Sequence, residues 1–373
     1  MIHPRTLNTF ATPNGSDSKG GFAAERESAS ALHSIVRASP DSALTLTLRE
    51  LRPFLDDPTL TELCINRPHE AFTECPTGWH RLDLPFATFD WCKGLAKLIA
   101  NASHQRIDDQ SPLLSATLPT GERVQLVLPP ATTDHTIAIT IRKPADRVWT
   151  LSELNARRMF DGTRAADQTN TATQGTRSAL DHLFIAQRFE DFLRLAVHSR
   201  QNILLSGPTG SGKTTLTKAL IREIPYHERL ITIEDTRELD LTTHPNHVRL
   251  YYSKDGQGTA QVTPKQLLEA TLRMKPDRVL LAELRSDEAF YYLRNINSGH
   301  PGSLTSVHAA SCELAFEQLV LLVKESHAAK DLSRADILQL LHRVIDVVVQ
   351  FQVTESRRRV SEIWYRDKRD LPQ

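Results

Sequence analysis

The chain has 373 residues, of which 40% are hydrophobic, and its 45 basic and 45 acidic residues balance. This length is sufficient for two domains of ordinary size, and the neutral balance gives no overall field that favours nucleic acid or an anionic membrane. The four cysteines (Cys64, Cys75, Cys92 and Cys312) are widely spaced, which disfavours a disulfide framework or a zinc site and favours a reducing cytosol. With no apolar stretch near the ~18 residues that span a bilayer and no visible secretory signal, we expect a cytoplasmic protein.

The first half of the chain predicts a tail followed by a small α+β domain. Residues 1–40 are rich in small polar residues and lack sustained periodicity, which predicts a disordered tail. Residues 41–145 carry short apolar runs separated by turn residues, together with an amphipathic helix at 89–102. The other predicted elements are a helix at 48–55 and strands at 60–65, 72–75, 79–84, 113–118, 123–128 and 136–141.

The second half predicts an α/β domain behind a long connection. Residues 146–178 read as a linker or inserted loop, because Asp161 to Arg177 contain almost no large apolar residue. Residues 179–373 alternate helix and strand, which predicts a mostly parallel sheet. Its predicted strands lie at 202–206, 230–233, 248–252, 279–281 and 303–307, with a C-terminal hairpin formed by 345–353 and 360–365.

A phosphate-binding loop stands at the start of this α/β domain. Residues 207–215 read Gly-Pro-Thr-Gly-Ser-Gly-Lys-Thr-Thr and fit the pattern G-x-x-x-x-G-K-[ST], with an apolar strand before and a helix after. Glycines let backbone N–H groups converge on phosphate oxygens, and the helix adds its positive N-terminal end. Lys213 can then reach the β- and γ-phosphates, and the Thr214 hydroxyl can bind Mg²⁺. The predicted nucleotide-binding residues are Gly207, Pro208, Thr209, Gly210, Ser211, Gly212, Lys213, Thr214 and Thr215.

Three further stretches place polar residues at strand ends, where open α/β sheets bind ligands. Glu234 and Asp235 follow the strand at 230–233, and Glu234 is a candidate for orienting or deprotonating the attacking water. Glu283 follows the strand at 279–281, as a carboxylate that holds the Mg²⁺ water shell does. His308 follows the strand at 303–307 and is a candidate contact of the γ-phosphate. Each of these three stretches, taken alone, also fits a structural explanation: acidic residues in the turn after a strand, or a histidine with a structural role.

Together, the four stretches resemble the Walker A, acidic, Walker B and histidine boxes of the secretion (traffic) ATPases. They are residues 207–215, Thr232–Leu239, 273–285 (Arg-Met-Lys-Pro-Asp-Arg and Ala-Glu-Leu-Arg) and Ser298–Ala309. The order and the amino-acid sequences of these boxes most resemble those in the ATPases of bacterial type IV secretion systems. The similarity runs from about residue 41 to residue 365. It implies a RecA-like P-loop NTPase C-terminal domain, a smaller α+β PAS-like N-terminal domain and a homo-hexameric ring. It also implies ATP and Mg²⁺ as cofactors, a position at the cytoplasmic face of the inner membrane, inner-membrane secretion components as partners, and indirect handling of DNA or protein cargo.

The resemblance also implies roles for individual residues. Lys213 and Thr214 would hold phosphate and Mg²⁺, and Glu234 would be the catalytic carboxylate. Glu283 would support Mg²⁺ and water, and His308 would sense the γ-phosphate. These roles make Lys213, Glu234, Glu283 and His308 candidate catalytic residues, with Thr214 and Glu283 as the candidate metal ligands.

Two arginines of the N-terminal domain complete the predicted site. Arg123 in Gly-Glu-Arg-Val and Arg142 in Ile-Thr-Ile-Arg resemble the segments that supply arginines to the nucleotide in this family. Without the resemblance, either one reads equally well as a solvated charge at a strand end. We expect both to lie at the ends of neighbouring strands and to point into one interdomain cleft. Ala282 and Ser286 stand where the family usually has glycine, and the long connection leaves the pairing of domains in a ring open.

Other functions remain as alternatives at this point. Motors of type IV pili or type II secretion are the nearest, but assembly-type relatives commonly carry a four-cysteine metal site and retraction motors an arginine-rich C-terminal helix, neither of which is visible here. A RecA-like nucleic-acid translocase is disfavoured by the neutral charge and the lack of interleaved aromatic and basic residues. A nucleotide-gated scaffold with little turnover is disfavoured by the intact carboxylates.

Overall fold

The computed structural model describes residues 42–144, 149–161, 163, 171–253, 258–355 and 357–366, with the backbone alone for 171–174. The predicted tail at 1–40 and part of the predicted linker lie outside these residues. No helix in the described part of the chain is both long enough and apolar enough to cross a bilayer.

The N-terminal part is a six-stranded antiparallel sheet with a helix packed on it. A short helical segment comes first, formed by α1 (Ala43–Leu48), a 3-10 turn (Arg49–Leu51) and α2 (Arg52–Leu55). Helix α3 (Phe89–Ala102) begins where the Thr88 side chain accepts a hydrogen bond from the Trp91 N–H, and it buries its apolar face in the core of this part. The strands are β1 (Glu62–Arg67), β2 (Glu70–Cys75), β3 (Gly78–Asp83), β4 (Leu113–Thr117), β5 (Arg123–Val127) and β6 (Ala138–Arg142), in the order β3-β2-β1-β6-β5-β4.

The C-terminal part is built on parallel strands that are buried on both faces. One group has the order β10-β8-β9 and the other β11-β7-β12-β13, in which only the last strand of the described set is antiparallel to its neighbour. The groups adjoin where the Leu284 N–H donates to the Ser306 carbonyl at 2.8 Å. The strands are β7 (Ile203–Ser206), β8 (Leu230–Glu234), β9 (His247–Tyr251), β10 (Arg278–Leu281), β11 (Leu304–Val307), β12 (Val347–Thr354) and β13 (Arg357–Tyr365).

Helices cover both faces of these strands, and this confirms the predicted α/β class. The connecting segment contributes α4 (Leu151–Ala156) and α5 (Thr171–Ile185), so the helix extends into the segment that the sequence predicts as a linker. Leu180 of α5 is buried against the core, and a helix nucleated by such packing propagates into polar residues at little cost. The remaining helices are α6 (Phe189–His198), α7 (Lys213–Arg222), α8 (Pro264–Thr271), α9 (Glu288–Asn297), α10 (Cys312–Glu325) and α11 (Arg334–Val344).

The N-terminal part meets the C-terminal strands at their amino ends. Arg229, fully buried just before β8, donates to the side chain of Asn66 at 2.8 Å and to the Met274 carbonyl at 3.0 Å. The Trp79 indole N–H donates to Asp277, just before β10, at 3.2 Å. Along the outer edge of β9, the Tyr251 N–H donates to the Ala131 carbonyl at 2.9 Å. The carboxyl ends of β7, β10 and β11 lie at the opposite edge.

Candidate nucleotide-binding site

The loop between β7 and α7 has the conformation that a phosphate cradle requires. Gly207, Gly210 and Gly212 have φ angles of 149°, 71° and 103°, in the region that disfavours side chains. A Cβ on Gly207 would lie 2.8 Å from the Phe351 Cβ, so only glycine fits there. The Ser211 hydroxyl is buried and has no hydrogen-bond partner among the described residues. Such an unpaired group in a glycine loop fits an incoming phosphate.

Backbone carbonyls of this loop hold the Lys213 side chain in place. Its ammonium donates to the carbonyls of Gly207 at 2.7 Å and Pro208 at 3.1 Å, and it lies 3.3 Å from His308 Nδ1. Burial lowers the pKa of Lys213, the Glu283 carboxylate opposes this, and the Arg285 charge adds to it. A buried ammonium held by weak carbonyl acceptors gains when phosphate oxygens replace them.

His308 and Glu283 form a contact beside the lysine. His308 Nε2 lies 2.6 Å from Glu283 Oε1, which is ion-pair distance, but Glu283 Oε1 has no hydrogen bond among the described residues, so the two groups are not aligned as a hydrogen-bonded pair. His308 Nδ1 lies 3.3 Å from Lys213 Nζ and also 3.1 Å from the Gly207 carbonyl oxygen, which can only accept a hydrogen bond. The other Glu283 oxygen accepts from Arg285 Nε at 2.6 Å, and the Arg285 guanidinium also pairs with Asp235. Side chains that follow three different strands therefore form one network of charged groups at the mouth of the loop.

Glu234 differs from Glu283, although both follow parallel strands. Its side chain is fully buried, and Oε2 accepts from the backbone N–H groups of Glu238 at 2.8 Å and Leu239 at 2.9 Å. Its Oε1 accepts from the Thr232 hydroxyl at 2.7 Å and from Arg249 at 3.2 Å. With both oxygens occupied, this carboxylate holds the loop after β8, from which Glu238 approaches Thr214. The predicted role of Glu234 as the catalytic carboxylate stays a prediction, and in this structure its hydrogen bonds fix the loop after β8.

The residues at the start of α7 offer hard oxygen ligands. The Thr214 hydroxyl donates to Glu238 Oε2 at 3.4 Å, and the Glu283 carboxylate lies beside His308 with its side chain 14% exposed. Hydroxyl and carboxylate oxygens are the ligands that Mg²⁺ prefers beside phosphate. The donor set around the loop thus fits a magnesium nucleotide.

Arg123 and Arg142 are direct neighbours across β5 and β6, as expected. Both are exposed, and Arg142 Nε lies 3.4 Å from Glu62 Oε1 on the adjacent strand. The contacts between the N-terminal part and the C-terminal strands involve the amino ends of β8 and β10 and the outer edge of β9 as far as its last residue, Tyr251. No hydrogen bond or ion pair among the described residues joins either arginine to the phosphate loop, so their place in an interdomain cleft stays a prediction.

Sequence reasoning overlooked two side chains of the site. Arg285 bridges Glu283 and Asp235, and Glu238 approaches Thr214. The signal for Arg285 was its place two residues after the strand-end Glu283, where a cation next to two carboxylates has a clear use. The position of Glu238 depends on how the buried Glu234 folds the following loop, and no pattern in the sequence indicates that fold.

Comparison with known proteins places this site in a family. The model of the family described as "Type II/IV secretion system protein" matches residues 92–362. A type IV secretion system protein VirB11 from Bartonella quintana is 49% identical over 332 residues, which cover 87% of this chain and 93% of the relative. The type IV secretion system protein PtlH from Bordetella pertussis is 42% identical over 341 residues, covering 90% of this chain and 99% of the relative.

A solved structure agrees with the sequence relatives. It is the VirB11 ATPase from the type IV secretion system of Brucella suis in complex with sulphate, 43% identical, with a TM-score of 0.81. The match covers 86% of this chain and 94% of that chain. The agreement confirms the predicted RecA-like class of the C-terminal part.

Proposed function

Because the chain belongs to the type II/IV secretion system protein family and is a type IV secretion ATPase, we propose that it works as a homo-hexameric motor whose ATP hydrolysis powers substrate transfer or pilus assembly. The observation that carries this proposal is the convergence of Lys213, His308 and Glu283 at the mouth of a glycine loop. A scaffold without turnover has no need for a carboxylate and a histidine poised at the γ-phosphate end.

The network of charged groups at the mouth of the loop provides the chemistry of ATP hydrolysis. Thr214, Glu283 and Glu238 would hold Mg²⁺, which neutralises phosphate charge when bound. Lys213 exchanges its carbonyl contacts for phosphate oxygens and so turns away from His308 Nδ1. With a proton on each ring nitrogen, His308 then donates from Nδ1 to the γ-phosphate, while Nε2 faces Glu283, the carboxylate that orients the attacking water.

The two arginines act in this proposal on the site of a neighbouring copy. The N-terminal part of the chain is anchored to the amino ends of its own strands through Arg229 and Trp79, away from its own phosphate loop. Arg123 and Arg142 are nevertheless exposed side by side on neighbouring strands. An arginine supplied in trans contributes about 10³ or more to the rate of phosphoryl transfer. A ring brings such a donor to every site.

The connecting segment supports assembly as well. Leu151, Met159 and Phe160 are 75%, 60% and 47% exposed, and α4 has no buried residue. Large apolar side chains clustered on a surface mark contacts with another chain. We place the ring peripherally at the cytoplasmic face of the inner membrane, next to inner-membrane secretion components, with DNA or protein cargo reached through them. The names of the relatives support a place in a type IV secretion system.

A mixing experiment tests the supply in trans. Lys213→Ala chains and Arg123→Ala/Arg142→Ala chains should each hydrolyse ATP poorly alone. Random mixed rings from equal amounts should regain about a quarter of wild-type turnover, because an intact loop then meets intact arginines from the next subunit. As a control, Lys213→Ala chains mixed with a triple variant carrying all three changes should stay inactive.

The result that contradicts this proposal is equally direct. If light scattering shows mixed rings and phosphate release stays at the level of the separate variants, the arginines act within one chain or not at all.

A further inference from the structure

The hairpin of β12 and β13 projects beyond the phosphate loop. Strand β12 pairs with β7 from Val347 to Gln350, and Gln350 lies opposite Ser206, the last residue of β7. The strand continues for the four residues 351–354, about 13 Å at the usual rise per residue. Phe351 packs against the loop, with ring carbon Cε1 3.7 Å from where a Gly212 Cβ would stand. The projecting end therefore stands beside the first turn of α7.

The direction of a bound nucleotide follows from the charged residues. Glu283 and His308, which mark the γ-phosphate end, follow β10 and β11 on one side of β7. Strands β12 and β13 lie on the other side of β7. A triphosphate whose γ end points to β10 and β11 therefore directs its nucleoside towards the hairpin.

One face of the projecting hairpin is apolar with one cation. Phe351 pairs with Val360, and Val353 pairs with Arg358, so the four side chains share the face that packs on the phosphate loop. Val353 and Val360 are 47% and 39% exposed although they stand in a strand, and Arg358 is exposed. Within the described part of the chain, the Arg358 side chain has no hydrogen bond or ion pair, whereas the Arg359 side chain, on the opposite face, donates to Gln352 at 2.9 Å.

We propose that Val353, Val360 and Arg358 form the nucleoside wall of the ATP site. The valines cover the sugar and one edge of the base, and the Arg358 guanidinium stacks on the base, as arginine does on aromatic faces. This inference rests on the binding of ATP by the phosphate loop. It makes Arg358 a binding residue supplied by the same chain, distinct from Arg123 and Arg142.

The test compares a nucleotide with its phosphates alone. In Arg358→Ala, the Kd of ADP, measured by calorimetry on the full chain with Mg²⁺, should rise about fivefold, as expected for a lost cation–π contact with some apolar area. The Kd of inorganic tripolyphosphate should not change. The matched control, Arg359→Ala, removes the same charge from the other face and should leave both constants within about twofold.

Two outcomes overturn the proposal. Equal weakening of ADP and tripolyphosphate would show that Arg358 acts on the phosphates as a charge, and unchanged constants would show that the hairpin face is solvent surface. Failure of tripolyphosphate to bind the wild-type chain would instead refute the phosphate loop as the site, so the two hypotheses fail in different ways.

Discussion

The two edges of the C-terminal strands carry buried or half-buried charges of different kinds. At the carboxyl edge, Lys213, His308 and Glu283 contact one another and remain partly open to solvent. At the amino edge, Arg229 is sealed between Asn66 and the Met274 carbonyl. The contacts at the first edge can be exchanged for those of a polyanion without leaving a group unpaired, whereas those at the second edge cannot be exchanged. The first edge is suited to a ligand and the second to holding the N-terminal part in place.

The same contrast separates two carboxylates that the sequence treats alike. Glu283 is in contact with His308 and Arg285, both of which can move with a ligand. Glu234 is held by two backbone N–H groups and by Arg249. A position at the end of a parallel strand therefore does not decide whether a carboxylate performs chemistry or fixes a loop; its partners do.

The largest stability effect should come from breaking the amino edge. Arg229→Ala leaves Asn66 and Asn246 without their shared donor and opens a cavity, so the free energy of unfolding should fall by about 3 kcal/mol. Urea unfolding followed by tryptophan fluorescence reports it directly, because the Trp79 ring centroid lies 5.6 Å from the Arg229 guanidinium. The surface control Arg222→Ala, which removes only an exposed pair with Asp240, should change the free energy by less than about 0.5 kcal/mol. A loss of equal size in both variants would show that Arg229 is not a special anchor.

A smaller effect should come from pH. Burial raises the pKa of Glu62 to about 7, with Arg142 opposing, so the folded chain binds a proton that the unfolded chain releases above its ordinary value of 4.5. This group therefore stabilises the fold as pH falls from about 7 towards 4.5. Burial lowers the pKa of His247 to about 4, so this group destabilises the fold as the pH falls below 6.5. Because the two effects oppose each other, the effect of Glu62 has to be measured as a difference between the wild type and a variant.

Glu62→Gln isolates the carboxylate. We subtract the free energy of unfolding of Glu62→Gln from that of the wild type. This difference should increase by about 1 kcal/mol or more as the pH is lowered from 8 to 5. The same difference for Glu50→Gln, at an exposed position, should stay flat. A flat difference for Glu62 as well would mean that its carboxylate is solvated.

The sequence predicted the carboxyl edge well, because local patterns encode it. The loop at 207–212 needs positive φ angles, which glycine adopts readily, so its glycines indicate the loop conformation. The apolar runs before Glu234, Glu283 and His308 place these residues at strand ends. The amino edge was not predictable, since Asn66 and Arg229 lie 163 positions apart and neither belongs to a pattern. The hydrogen bonds of Glu234 were not predictable for a related reason: one of its oxygens accepts from the backbone N–H groups of residues 238 and 239, and only the folded loop shows this.

The contrast between Glu234 and Glu283 is tested most directly by measuring kcat and the unfolding midpoint for Glu283→Gln and Glu234→Gln side by side. Glu283→Gln should lower kcat by about 10²-fold or more with little change in stability, because in the proposed mechanism Glu283 orients water and holds Mg²⁺ at the open end of the loop. Glu234→Gln should lower the free energy of unfolding by about 1–3 kcal/mol, because an amide cannot accept all four hydrogen bonds of the buried carboxylate. A Glu234→Gln variant with wild-type stability and a 10²-fold loss of kcat would contradict this account and restore Glu234 as the catalytic carboxylate.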